Sequence, residues 1–170
     1  MTRGSLGKGH IGTAYLLAIL SEVIFYLSFN TDFDETSSTM TQCDPIVPDD
    51  LDVLRSQRGY SPGVRTGNLL FVSGMLGRRA DLSIVEEPEA QLIKMFDNLG
   101  LVLEEAGCDW NGVVEMTAFL TELQRDYALF MQVRDRYISE PYPAMTMIGA
   151  VQLAQPGLIC ELKAVAIVTD

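Results

Sequence analysis

The stretch that decides the fold is the C-terminal pair of apolar runs, PYPAMTMIGAV from Pro141 to Val151 and LICELKAVAIV from Leu158 to Val168. Pro156-Gly157 stands in the connection between them. A Pro-Gly pair between two β-rich runs is a turn signal, so the pattern predicts two strands joined by a short link. One side chain is out of place there. Glu161 puts a carboxylate inside a run that is otherwise nearly all apolar, and burying a carboxylate is costly unless it is paired or hydrogen-bonded. Lys163, two positions on, points to a solvated face, whereas Ile159, Val165 and Ile167 share that face and are apolar. Residue chemistry leaves both a surface carboxylate and a site carboxylate open.

Upstream, Pro45 to Arg58 is polar and turn-rich, and Tyr60 to Gly77 reads YSPGVRTGNLLFVSGMLG. Thr66-Gly67-Asn68 is a turn between two β-rich segments and predicts a hairpin, with Ser73-Gly74 ending its second strand. Glycine there permits close approach by a ligand or another strand, although a plain turn glycine has the same appearance. Asp81 to Glu87 reads as a loop. Pro88 then opens a helix with Glu86, Glu87 and Glu89 at its positive end. Leu92, Phe96, Leu99, Leu103 and Ala106 recur at helical spacing, and Gly107 suits the C-terminal cap. Val113 to Leu120 reads as a strand and Asp126 to Ile138 as a second helix, with Tyr127, Phe130, Met131, Arg134 and Tyr137 on or near one side.

The resulting order is strand, strand, helix, strand, helix, strand, strand. Two helices cannot cover both faces of such a sheet, so they are expected on one face. The C-terminal strands are apolar on both sides, so the opposite face is expected to be apolar and to be buried by self-association in a symmetric oligomer.

Composition bounds the chemistry. The chain has 170 residues, 48% of them hydrophobic, enough for one well-packed domain. Its net charge is −11, and the body from Thr41 onward carries ten basic and nineteen acidic residues. That balance argues against nucleic acid as a partner, and Arg78-Arg79 is the only adjacent basic pair. The sole histidine is His10, in a leader unlike the rest. Its absence from the body removes Ser-His and Cys-His nucleophile pairs and an ordinary zinc site, and no metal or cofactor is expected. Cys43, Cys108 and Cys160 are odd in number and show no CxxC, so they read as reduced thiols of a cytoplasmic protein, Cys160 as a small core hydrophobe.

The leader, residues 1–40, holds an apolar run from Ile11 to Phe29 that is long enough to cross a bilayer. Glu22 falls inside the run and is expensive in lipid, and no A-x-A cleavage site follows. A membrane anchor, a secretory signal and upstream sequence ahead of a start at Met40 compete, and the last is preferred. Membrane association is expected only if 11–29 is a true anchor.

The body, residues 41–170, carries a resemblance. GYSPGVRTGNLLFVSGMLG, the helix EAQ…FDNLGLVLEEAG, VVEMTAFLTEL, and YPAMTMIG…CELKAVAIV resemble the RidA (YjgF-type) family of imine/enamine deaminases from about Gln57 to Val168. The resemblance implies an α+β, chorismate-mutase-like subunit, a mixed sheet with two helices on one face. It also implies a homotrimer with clefts between neighbouring subunits. Carried over residue by residue, Glu161 matches the glutamate that positions the attacking water. Tyr60, Ser73 and Gly74 match cleft-lining positions, and Thr146 matches a small hydroxyl position.

One group is missing. The family motif Pro-Ala-Arg-Ser/Thr, whose arginine clamps the substrate carboxylate, stands here as Pro143-Ala144-Met145-Thr146, and Met131 stands where many members have a cleft asparagine. Losing one partner of a buried guanidinium–carboxylate fork costs roughly 2–5 kcal/mol, about two or three orders of magnitude in affinity. The chain therefore resembles the arginine-less branches, and a standard 2-imino acid is not the expected substrate. Two functions follow. One is a hydrolase acting on C=N bonds, on a substrate with an apolar group against Met131 and Met145 or an anion held by Arg65 or Arg78. The other is a non-catalytic trimer binding a metabolite or partner in a residual cleft. A ribonuclease fits least.

Overall fold

The computed structural model describes residues 43–169, which fall in one compact unit, Thr41–Asp170. The leader and its apolar run lie outside the described residues. Among those described, no helix is long and apolar enough to cross a membrane.

The hairpin forms as the turn chemistry requires. Strands β2 (Gly63–Thr66) and β3 (Leu69–Leu76) pair antiparallel with Thr66 opposite Leu69, and Gly67 takes the left-handed conformation at the turn. Ahead of them, the segment expected to be only turns carries a short edge strand, β1 (Asp44–Ile46), and a helix, α1 (Asp52–Arg58). Leu51 and Leu54 are buried there and tie α1 to the core, a two-residue apolar signal too short to show a period. Helix α2 (Pro88–Glu105) starts at Pro88, with the Glu87 carboxylate accepting from the amides of Glu89 (3.1 Å) and Ala90 (2.6 Å). Strand β4 (Val113–Leu120) occupies the expected residues. Helix α3 spans Leu123–Arg134, starting and ending earlier than the expected Asp126 to Ile138, whose last residues form a tighter turn onto Val133 and Arg134 carbonyls.

The C-terminal runs form β5 (Ala144–Gly149) and β6 (Cys160–Ile167), but they are not partners. The sheet order is β1-β2-β3-β6-β4-β5, with β5 parallel to β4 and β6 antiparallel to both β3 and β4. The sheet is therefore mixed, and β6 is a central strand, which accounts for its near-continuous apolar character.

Helices α2 and α3 lie on one face. Leu70, Val72, Met116, Leu120, Leu162 and Ala164 from the sheet meet Leu92, Phe96, Leu99, Phe130 and Val133 from the helices. Phe96 stacks on Tyr137 at 4.8 Å between centroids and leans on Trp110 and Phe130. Cys160 is buried, a small core hydrophobe as expected. The opposite face is mixed rather than wholly apolar. Leu69, Phe71, Ile148 and Ile167 are exposed on it, but register places Thr117 opposite Lys163 and Thr146 beside them.

Two buried amides stand within the apolar face of α2. Gln91 donates to the Val85 carbonyl (2.7 Å) and the Gly157 carbonyl (3.0 Å) and accepts from the Ile159 amide (2.7 Å). Asn98 donates to the carbonyls of Leu76 (2.8 Å) and Arg78 (2.9 Å). They satisfy backbone groups of the chain entering β6 and leaving β3, groups that would otherwise be buried unpaired. Asn98→Leu strips a donor from two carbonyls, at about 1–3 kcal/mol each. Thermal unfolding is expected to show Tm lowered by roughly 5–15 °C. An unchanged Tm would mean Asn98 does not hold this segment.

Candidate active site

The site is built where α1, the end of β3 and the start of β6 converge. Gly59 adopts φ 77° at the end of α1, and its amide and that of Tyr60 cap the carbonyls of Arg55 and Leu54. This left-handed reversal, which favours glycine, sends Tyr60 back across the sheet end. Ser73 fixes the same segment, its hydroxyl donating to the Ser61 carbonyl (2.8 Å) and its amide to the Pro62 carbonyl (2.9 Å).

Between Val72 and Met75 the register of β3 on β6 slips, setting Ser73 and Gly74 against the single residue Lys163. Bulges of this kind re-aim side chains and recur beside active sites. Here the bulge brings Gly74 against Glu161. A Cβ on Gly74 would lie 2.0 Å from Glu161 Oε1 and 2.7 Å from its Cδ, so the missing side chain is the space the carboxyl occupies. Glu161, Tyr60, Ser73, Gly74 and Arg78 line one hollow of about 440 Å³ with Arg58, Leu76, Ala154 and Gln155.

Burial pushes the Glu161 carboxyl above the ordinary glutamate value, partly offset by the nearby Arg78 charge. Burial likewise raises Tyr60, with Arg78 opposing and Glu161 reinforcing. Arg78 is lowered by burial first and by the like charge of Arg58 second. It is only 8% exposed, and its Nε has no hydrogen-bond partner among the described residues. Lys163, by contrast, points to solvent on the same strand and does not pair with Glu161. Glu161 is thus a half-buried carboxylate facing a cavity, the arrangement that residue chemistry had left open.

Of the expected site residues, Glu161, Tyr60, Ser73, Gly74 and Arg78 come together. Met131, Met145, Thr146 and Arg65 do not line this hollow. Met145 sits opposite the buried Met116 and packs with Met131 against the core, while Thr146 is exposed on edge strand β5. Arg65 lies near the hairpin turn and donates to the Gly67 carbonyl (2.9 Å). Sequence reasoning missed Arg58, hidden in a segment read as turns, and the supporting amides Gln91 and Asn98. Those two stand seven residues apart on the apolar stripe of α2, and a polar pair at that spacing inside a buried face is the signal that could have found them. Among the described residues, no group of three or more His, Cys, Asp or Glu side chains could hold a metal ion.

Comparison with known proteins places the fold in a family. The profile described as Endoribonuclease L-PSP matches residues 51–168. RutC family protein YjgH of Escherichia coli is 35% identical over 114 residues, covering 66% of this chain and 86% of its own. The 2-iminobutanoate/2-iminopropanoate deaminase of Capra hircus is 28% identical over 114 residues, 64% of this chain and 79% of its own. The crystal structure of RidA from an Antarctic Psychrobacter superposes with a TM-score of 0.61 at 32% identity, covering 65% of this chain and 89% of that one. On the profile that spans its body and the relatives that share its sheet, this chain belongs to the Endoribonuclease L-PSP family, which includes the RutC and RidA proteins.

Proposed function

We propose that this protein hydrolyses the C=N bond of a small imine, or of an enamine through its imine tautomer, and releases ammonia. The observation that carries the proposal is the Glu161 carboxyl, half-buried against Gly74 and facing a hollow it shares with Tyr60, Ser73 and Arg78. Ionised Glu161 orients a water and accepts its proton as the oxygen adds to the imine carbon. The C=N electron pair moves to nitrogen, which takes up a proton. The carbinolamine then collapses to a carbonyl, with ammonia leaving after proton return through the same carboxyl. The Capra hircus relative's name supports this chemistry. The word endoribonuclease in the family description does not transfer easily, because a net charge of −11 disfavours a phosphodiester backbone.

The working unit in this reading is a homotrimer in the cytoplasm. Phe71 (46% exposed), Ile148 (41%) and Ile167 (37%) lie on the uncovered, mixed sheet face, and self-association would bury these apolar side chains. A neighbouring copy would then bring the β5 edge, with Met145 and Thr146, and Met131 towards the hollow. Sedimentation velocity should return a species of three subunits at micromolar concentration, and a monomer would remove the shared cleft.

For catalysis the decisive comparison is ammonia release by the wild type and Glu161→Gln over a panel of imines. The variant is expected to lose about 10²–10⁴-fold in kcat. Because burial raises the Glu161 pKa, the folded state disfavours its charge. Its contribution to stability is greatest below the unfolded-state value and is lost as pH rises through the folded value. Glu161→Gln should therefore melt no lower than the wild type at pH 7. The acidic limb of the wild-type pH–rate profile should fall above the ordinary carboxylate value of 4.5. No ammonia from any imine, with the fold intact, would refute hydrolysis and leave a binding module.

A further inference from the structure

We infer that Arg78, assisted by Arg58, forms an anion subsite in this hollow that receives a carboxylate carried by the substrate. This rests on the hollow being the ligand site proposed above, and it goes further by assigning the charge the ligand must bear and where that charge sits. Arg78 supplies the guanidinium from just beyond the end of β3.

Arg78 is an uncompensated group. An arginine that is 8% exposed, with a buried, unpartnered Nε and no ion pair among the described residues, carries a costly charge unless something completes it. The fold nevertheless holds it in place. Asn98 binds the Arg78 carbonyl, the Arg78 amide donates to the Leu76 carbonyl (2.8 Å), and Arg78 bridges to Ile84 in antiparallel register. Its neighbour Arg79 turns the other way, onto the Ile84 carbonyl (3.2 Å) and the Ser83 hydroxyl (3.3 Å). Only one of the adjacent pair is therefore delivered to the hollow.

Charge then limits the ligand. Arg58 and Arg78 line the hollow with Glu161, two positive groups against one carboxylate, so a single negative charge neutralises the set. Glu161 and Arg78 feel one another electrostatically without closing to ion-pair distance, which leaves the guanidinium edge available. A carboxylate matches the planar fork in charge and shape. A phosphate dianion would add a second charge beside Glu161. The volume of about 440 Å³ suits a small metabolite rather than a polymer.

Calorimetric titration of the full chain tests this without requiring turnover. The probes are 2-oxobutanoate and 4-oxopentanoate (acids carrying the carbonyl that C=N hydrolysis leaves), neutral 2-butanone, and inorganic phosphate. The expected result is that at least one oxo acid binds more tightly than phosphate while butanone does not bind. Arg78→Met should weaken that binding at least 30-fold. Arg58→Met, an exposed change that spares the fold if Arg78→Met does not, should weaken it about tenfold. In the ammonia assay, Arg78→Met should collapse the preference for a carboxylate-bearing imine over its neutral counterpart. Equal binding of butanone and the oxo acids, tighter binding of phosphate, or undiminished affinity in folded Arg78→Met and Arg58→Met would overturn the subsite. The two proposals fail separately. Arginine-dependent binding without ammonia release sinks only hydrolysis, and Glu161-dependent hydrolysis of neutral imines indifferent to both arginines sinks only the subsite.

Discussion

The arrangement depends on one steric fact, that a carboxyl group fills the space where Gly74 has no side chain. A carboxylate in a central strand would ordinarily be expelled to solvent or tied to a lysine. Here the slip between Val72 and Met75 opens β3 by one residue, and Glu161 leans into the gap instead of following Lys163 outward. Burial disfavours its charge, the nearby Arg78 restores part of it, and the carboxyl faces the hollow with its pKa raised above the ordinary glutamate value. Any side chain at position 74 would force that group elsewhere.

The rest of the subunit keeps this contact in register. Gln91 and Asn98 project from the buried face of α2 and bind backbone on both sides of the site, the first where the chain enters β6, the second where it leaves β3. An apolar residue at either position would pack as well but would leave carbonyls without donors. Gly77 permits this approach, since a Cβ there would sit 2.2 Å from the Gln91 carbonyl oxygen. Ser73 serves a similar end on the other side, joining the bulge to the segment that carries Tyr60. The polar groups of the core thus act on the geometry of the hollow as much as on stability.

Much of this was legible in the sequence, for reasons that differ by element. The Thr66-Gly67-Asn68 turn, Pro88 and the stripe from Leu92 to Ala106 carry strong local chemistry, and the hairpin and α2 followed from them. Glu161 could be singled out because a lone carboxylate in an apolar run is physically anomalous. Its orientation could not, since alternation on β6 gives Glu161 and Lys163 the same side, and only the bulge in β3 separates their fates. Strand order was illegible too. Nothing local in the Pro156-Gly157 link shows that β6 crosses to lie between β3 and β4. Helix α1 is not legible because its segment contributes few apolar residues, such as Leu51 just ahead of it and Leu54 within it, and Arg58 is hidden with it. Met131, Met145 and Thr146, assigned to the cleft by resemblance, lie elsewhere on the subunit and do not line this hollow.

The most direct measurement is ammonia release by Gly74→Ala, read beside its melting temperature. The added methyl meets the free end of a flexible side chain, so the fold is expected to survive, with Tm within a few degrees of the wild type. If the carboxyl works from the space beside residue 74, the rate should fall by about 10²-fold, approaching that of the protein without an acidic group at position 161. Wild-type rates from a folded Gly74→Ala protein would contradict the account.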